Sequence, residues 1–149
     1  MKLYTSPIIH EDECLSSWVT RVARDNLCDP YLFSKKYLQG NIWRKDIDKH
    51  ININYLNRLS ELTRCDIELM LDAHISQYTF YEVVNTPITI KEMSLLNTSV
   101  IGERKTSKWM QYCTLCLKES PYLRKHWRFA HVTVCHKHRV KLYDACYFC

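Results

Sequence analysis

The stretch YCTLCLKESPYLRKHWRFAHVTVCHKH, residues 112–138, decides how the rest of the chain is read. Cys113 and Cys116 form a C-x2-C pair, and Cys135 with His138 forms a C-x2-H pair eighteen residues later. A two-residue spacer lets both side chains of a pair approach one ion from a tight knuckle. Two knuckles joined by a hairpin then close a tetrahedron. Three thiolates and one imidazole suit Zn2+ better than any hard cation. Four protein ligands leave no open position, so the expected role is structural. His136 is the rival fourth ligand, but alternation from Cys135 points it away, which favours His138. His126 and His131 lack a cysteine partner nearby and read as structural or surface residues.

Working outward, the chain ends on YDACYFC, residues 143–149. Cys146 and Cys149 make a second C-x2-C, a candidate metal half-site. Grouping them with Cys113 and Cys116 as a four-cysteine ribbon would strand Cys135 and His138. The expectation is therefore a second ribbon begun here and continued in a longer natural chain. Five of the eight cysteines fall in these last 37 residues, in close pairs, which points to metal binding rather than a disulfide framework. Cys14, Cys28 and Cys65 lie near apolar helix positions and read as small buried hydrophobes.

The cysteine-rich end is also the basic end. Residues 102–149 carry 10 Lys/Arg against 3 Asp/Glu, whereas residues 1–101 carry 11 against 13. A concentrated positive field favours nucleic acid or an acidic partner surface. The expected contacts are Lys118, Arg124, Lys125, Arg128, Lys137, Arg139 and Lys141. Tyr122 and Trp127 are expected to pack the metal module.

Upstream, the pattern is helical. In HEDECLSSWVTRVARDNL, residues 10–27, Leu15, Trp18, Val19, Val22 and Ala23 form one apolar stripe. Glu11, Asp12 and Glu13 are expected in the first turn, where the helix dipole favours acids. Asp29-Pro30 opens a second helix that stops at Gly40. A third, over about 52–62, turns Ile53, Leu56, Leu59 and Leu62 inward. TRCD, residues 63–66, reads as a capping box for a fourth helix running to about residue 75. The last two have helix-turn-helix dimensions. YTFYEVV, residues 78–84, has strand-like residues interrupted by Pro87, and IKEMSLL, residues 90–96, fits one or two helical turns.

The expected architecture is mainly α. It comprises a helical domain with a helix-turn-helix-like pair (1–76), a connector (77–111) and a small zinc-ribbon module with short β-strands (112–149). The chain holds 46% apolar residues, enough for a core, and has no apolar run of membrane-spanning length. Its acidic early turn does not suit a secretory signal, so cytoplasmic residence is expected. There is no phosphate-binding glycine loop, G-x-S-x-G or H-E-x-x-H motif. Glu13, Asp46 and Asp48 are the carboxylates a magnesium nuclease would use.

The order of these features resembles the TniQ/TnsD family, whose members select target sites for bacterial transposons. The resemblance rests on DECLSSWVTRVARDN (12–26), on DIDKHI (46–51) followed by LNRLSELTRCDIELM (56–70), and most specifically on the cysteine-rich stretch from Tyr112 to Cys149. The family often places proline after the first cysteine of a pair, where this chain has Thr114 and Tyr147. The resemblance implies a non-enzymatic adaptor. It would connect a target DNA site or a CRISPR effector complex to an AAA+ transposition ATPase of the TnsC type. The sequence itself leaves the oligomeric state open, a homodimer included. The alternatives are a zinc-ribbon and helix-turn-helix transcription regulator, or a zinc-stabilised nuclease.

Overall fold

The computed structural model describes residues 3–75, 80–81, 87–88, 110–129 and 131–145, with backbone only at the four residues from 80 to 88. The described residues are mainly helical with little strand. The chain divides into two compact units, Met1–Gln77 and Tyr78–Cys149.

The first unit is built on α1, Leu15–Asp25. Its apolar stripe is fully buried, with Leu15, Trp18, Val19, Val22 and Ala23 each at 0% exposure. Burying a large apolar side chain is worth roughly 1.5–3 kcal/mol, so this stripe anchors the unit. Helix α2, Pro30–Tyr37, packs against it through Phe33. Asp29 caps α2 as expected, its carboxylate accepting the Tyr31 and Leu32 N–H groups. Helices α3, Ile53–Thr63, and α4, Ile67–Asp72, pack on each other and add Leu56, Leu59 and Met70 to the same core.

Several sequence expectations are corrected here. The acidic run Glu11–Glu13 precedes α1 instead of forming its first turn. Glu13 is instead fully buried, paired with Arg21 at 2.7 Å and accepting hydrogen bonds from Ser17 Oγ and the His10 N–H. A buried carboxylate is stable only with such a set of partners. Thr63 does not open a capping box. It ends α3, its hydroxyl donating to the Leu59 carbonyl and accepting the Cys65 N–H, while Asp66 flanks α4 without a side-chain cap bond. Ile53 lies at the first position of α3 and is 54% exposed, so it does not join the inward set. Helix α4 is only six residues long. Cys14 is buried as expected, but Cys28 and Cys65 are only half-buried.

Gly40 serves close approach. The left-handed position after α2 is Gln39, at φ 56°. A Cβ on Gly40 would come within 2.9 Å of Tyr55 Cζ and closer still to the phenol oxygen. The glycine thus lets the end of α2 lie against α3.

In the second unit, Phe80–Tyr81 (β1) and Pro87–Ile88 (β2) pair antiparallel, Phe80 opposite Ile88, so Pro87 sits within a strand. Most of the 77–111 connector, including IKEMSLL, lies outside the described residues. In the cysteine-rich module the expected strands give way to isolated bridges, among them the antiparallel pairs Tyr112 with Tyr143 and Val134 with Lys141. Two unexpected elements lie between them: helix α5, Thr114–Glu119, and a 3-10 turn, Lys125–Arg128.

Candidate metal centre

The C-x2-C pair does not form the expected free-standing knuckle. Cys113 occupies the N-cap position of α5 in extended backbone, and Cys116 sits one turn inside. Leu, Lys and Glu are good helix formers, and they carry α5 on from there. The C-x2-H pair does form a tight turn. The Arg139 N–H donates to the Cys135 carbonyl at 2.7 Å, and the Cys135 N–H to the Val140 carbonyl at 2.8 Å, with Arg139 left-handed at φ 55°.

The turn and the helix start bring four donors together. Cys113, Cys116, Cys135 and His138 offer ligand atoms that all lie within 4.8 Å of one another. His138 Nδ1 is 3.5, 3.2 and 3.7 Å from the sulfurs of Cys113, Cys116 and Cys135. The sulfurs of Cys116 and Cys135 are 3.6 Å apart. A tetrahedron with metal–sulfur bonds near 2.3 Å and a metal–nitrogen bond near 2.0 Å has edges of about 3.5–3.8 Å. The separations of 3.2–3.7 Å lie close to those edges, and the cluster could hold one metal ion.

Its protonation chemistry favours a cation. Burial and the hydrogen bond with Cys135 push the Cys116 thiol up to about 12. Burial also raises Cys135, but the His138 N–H, the Cys116 thiol and the His138 ring outweigh it and bring Cys135 down to about 7. A positive charge beside both sulfurs favours their thiolate forms.

His138 is oriented from behind. Its Nε2 lies 3.0 Å from Glu119 Oε1 at the end of α5, and Lys137 holds the other oxygen of the same carboxylate. The Glu119 hydrogen bond, with a smaller contribution from Cys135, raises the His138 pKa. Lys137 and then His138 lower that of Glu119. With Nε2–H donating to the carboxylate, the Nδ1 lone pair faces the three sulfurs, as a ligand nitrogen must. Glu119 was invisible in the sequence reading because it lies 19 residues from His138 and belongs to no motif.

The neighbouring histidines face elsewhere. His136 is exposed and meets His126 edge-on, with ring centroids 4.8 Å apart. His131 is exposed beside Phe129. Trp127 is fully buried and packs with Cys113, Cys116, Cys135 and Leu142 in one apolar cluster. The Arg124 guanidinium lies over both Tyr122 and Trp127, 4.6 and 4.9 Å from the ring centroids.

The seven basic residues expected at a contact surface separate into two groups. Arg124, Lys125 and Arg128 are buried, at 7%, 6% and 4% exposure, which withdraws them from the set facing solvent. Lys118, Lys137, Arg139 and Lys141 are exposed.

In the first unit the carboxylates proposed for a nuclease are otherwise engaged. Glu13 is held by Arg21, Asp48 is bound to Ser16, and Asp46 accepts the Asp48 N–H. Among the described residues, the Cys113–His138 cluster is the only group of three or more such side chains close enough to share a metal. Cys146 and Cys149 lie outside the described residues.

A TniQ family model matches residues 5–142, which take in the helices of the first unit and all four residues of the cluster. The chain belongs to the TniQ family. Membership of the TniQ family carries a role associated with transposition. No curated protein matches this TniQ chain at a significant level. No helix among its described residues is long and apolar enough to cross a membrane.

Proposed function

We propose that this TniQ chain is a non-enzymatic, zinc-binding adaptor in DNA transposition. It links recognition of a target, either a DNA site or a CRISPR effector complex, to recruitment of an AAA+ transposition ATPase of the TnsC type. The family match over residues 5–142 carries this reading. The four-donor cluster supports it, since three sulfurs and one imidazole suit zinc and a closed tetrahedron serves structure rather than catalysis.

In this reading zinc is held by Cys113, Cys116, Cys135 and His138. It ties α5 to the 135–138 turn in a segment too small and too basic to build a core unaided. The exposed Lys118, Lys137, Arg139 and Lys141 supply the contact surface, with Lys137 shared with Glu119.

The test is affinity purification of the tagged full chain from its host after nuclease treatment, with bound proteins identified by mass spectrometry. Recovery of an AAA+ ATPase supports the adaptor reading, and co-recovery of CRISPR subunits identifies the RNA-guided route. Absence of the ATPase together with sequence-specific duplex binding would replace it with a transcription regulator.

A further inference from the structure

The bridges of the metal module order its side chains into two faces. Tyr112 and Tyr143 exchange both backbone hydrogen bonds at 2.8 Å, which makes them a directly opposed pair. Val134 and Lys141 form the second opposed pair, between the Cys135–Val140 and Leu142–Thr133 hydrogen bonds. Opposed residues share a face, as do positions two apart on one extended segment. Tyr112, Tyr143, Lys141 and Val134 therefore share a single face. The intervening Cys113, Leu142 and Cys135 point the other way, and all three are buried around the metal cluster.

The outward face is exposed and unusual in composition. Tyr143 and Val134 are 49% and 50% exposed. The Tyr143 ring stacks on that of Tyr112 at 5.8 Å between centroids, and the Tyr112 hydroxyl is held by the Ala145 carbonyl. This fixes the lower ring and leaves the upper one open. Lys141 stands beside Tyr143 on the same segment, and Arg139 is exposed at the adjoining turn. Within residues 110–145, seven Lys/Arg, four of them exposed, stand against only Glu119 and Asp144, and Glu119 is already engaged with Lys137 and His138. A rigid, exposed aromatic ring beside cations in a positive field is complementary to a polyanion with open π-faces.

We infer that Tyr143, supported by Tyr112 and flanked by Lys141, is a stacking platform for an unpaired base of single-stranded DNA. This deepens the target-recognition half of the proposed function and rests on that reading for its biological setting, but the binding itself does not depend on the ATPase. Stacking on Tyr143 supplies the preference for unpaired strands, because a base inside a duplex has no free face. Lys141 supplies a phosphate contact and hence salt dependence.

The experiment is fluorescence anisotropy of zinc-loaded full chain with a labelled oligo-dT, a duplex of equal length and an oligo-U. Zinc content and near-ultraviolet circular dichroism are recorded for every variant. Tyr143→Ala is expected to weaken oligo-dT binding about tenfold while leaving duplex binding unchanged, and Tyr143→Trp to restore it. Lys141→Gln is expected to lower the slope of log affinity against log salt by about 0.7. The inference is overturned if wild type does not bind oligo-dT, if Tyr143→Ala with intact zinc binds it normally, or if duplex is weakened equally. Preference for oligo-U over oligo-dT would overturn the DNA assignment in favour of RNA. The ATPase purification with Tyr143→Ala separates the two readings: retained ATPase with lost oligo-dT binding upholds both, while lost ATPase in wild type fails only the adaptor reading.

Discussion

Asp48 caps the first helix from 32 residues away in the sequence. Its carboxylate accepts the Ser16 backbone N–H and the Ser16 hydroxyl, each at 2.7 Å, and the side chain is almost fully buried. The N-cap residue itself, Cys14, makes no side-chain cap bond, so the tertiary fold supplies what the local sequence omits. The Asp48 carbonyl in turn accepts the Ile75 N–H at 2.7 Å, so the 46–50 loop ties the start of α1 to the segment after α4.

Removing that cap should therefore destabilise the whole first unit. Asp48→Ala is expected to lower stability by about 2 kcal/mol, at the upper end for a helix cap because two half-buried Ser16 donors lose their acceptor together. Chemical denaturation of the full chain measures it. A change below a few tenths would show that Ser16 finds other partners.

The Glu13–Arg21 pair gives a sharper test. Glu13 is fully buried, and Arg21 also donates to the Ile8 carbonyl, fastening the N-terminal segment to α1. Arg21→Met should cost about 3 kcal/mol by leaving a buried carboxylate without its counter-charge. Adding Glu13→Gln to that variant should recover part of the loss. Denaturation midpoints of the two variants decide it, and an equal or larger loss in the double variant would refute the charge argument.

The metal cluster makes a paired prediction. His138→Ala should reduce bound zinc, whereas His136→Ala should leave it unchanged, since His136 is turned toward His126. Glu119→Gln should weaken zinc affinity roughly 10- to 100-fold by removing the carboxylate behind the ligand imidazole. Competition with a chromophoric chelator reads all three. Zinc loss in His136→Ala equal to that in His138→Ala would exchange their roles.

Acid sensitivity should come partly from His74. Burial, then the nearby His50, lower its pKa below 6.5, with Asp46 opposing them. A depressed histidine is neutral in the folded state while the unfolded chain still binds the proton. Stability from this group is therefore intact above about 6.5 and is lost as pH falls from there through the folded value. Urea midpoints measured between pH 7.5 and 5.5 should fall less in His74→Gln than in wild type. Parallel curves would assign the acid sensitivity to other groups.

Much of this was readable without coordinates, and the reason is periodicity. The stripe Leu15, Trp18, Val19, Val22, Ala23 repeats at helical spacing, so its burial follows from the sequence. The Asp29-Pro30 start of α2 is a local signal, carried by a side chain reaching two and three residues ahead. Short-range spacing likewise marked Cys113, Cys116, Cys135 and His138, which the fold brings together.

What failed to show depends on partners distant along the chain. Cys113 is a poor N-cap, so α5 had no start signal, and the helix forms where the fold gathers the sulfurs. Exposed charge in the sequence suggested Arg124, Lys125 and Arg128 as contacts, but the packing around Trp127 draws them inward. By itself, then, the sequence determined the apolar faces of the helices and the spacing of the metal donors, both of which act within a few residues. Only the tertiary structure decided that Asp48 caps α1, that Arg21 neutralises Glu13 and that Glu119 orients His138. Those interactions join groups 8 to 32 residues apart, and a buried charge or donor is satisfied by whatever the fold brings within hydrogen-bond reach.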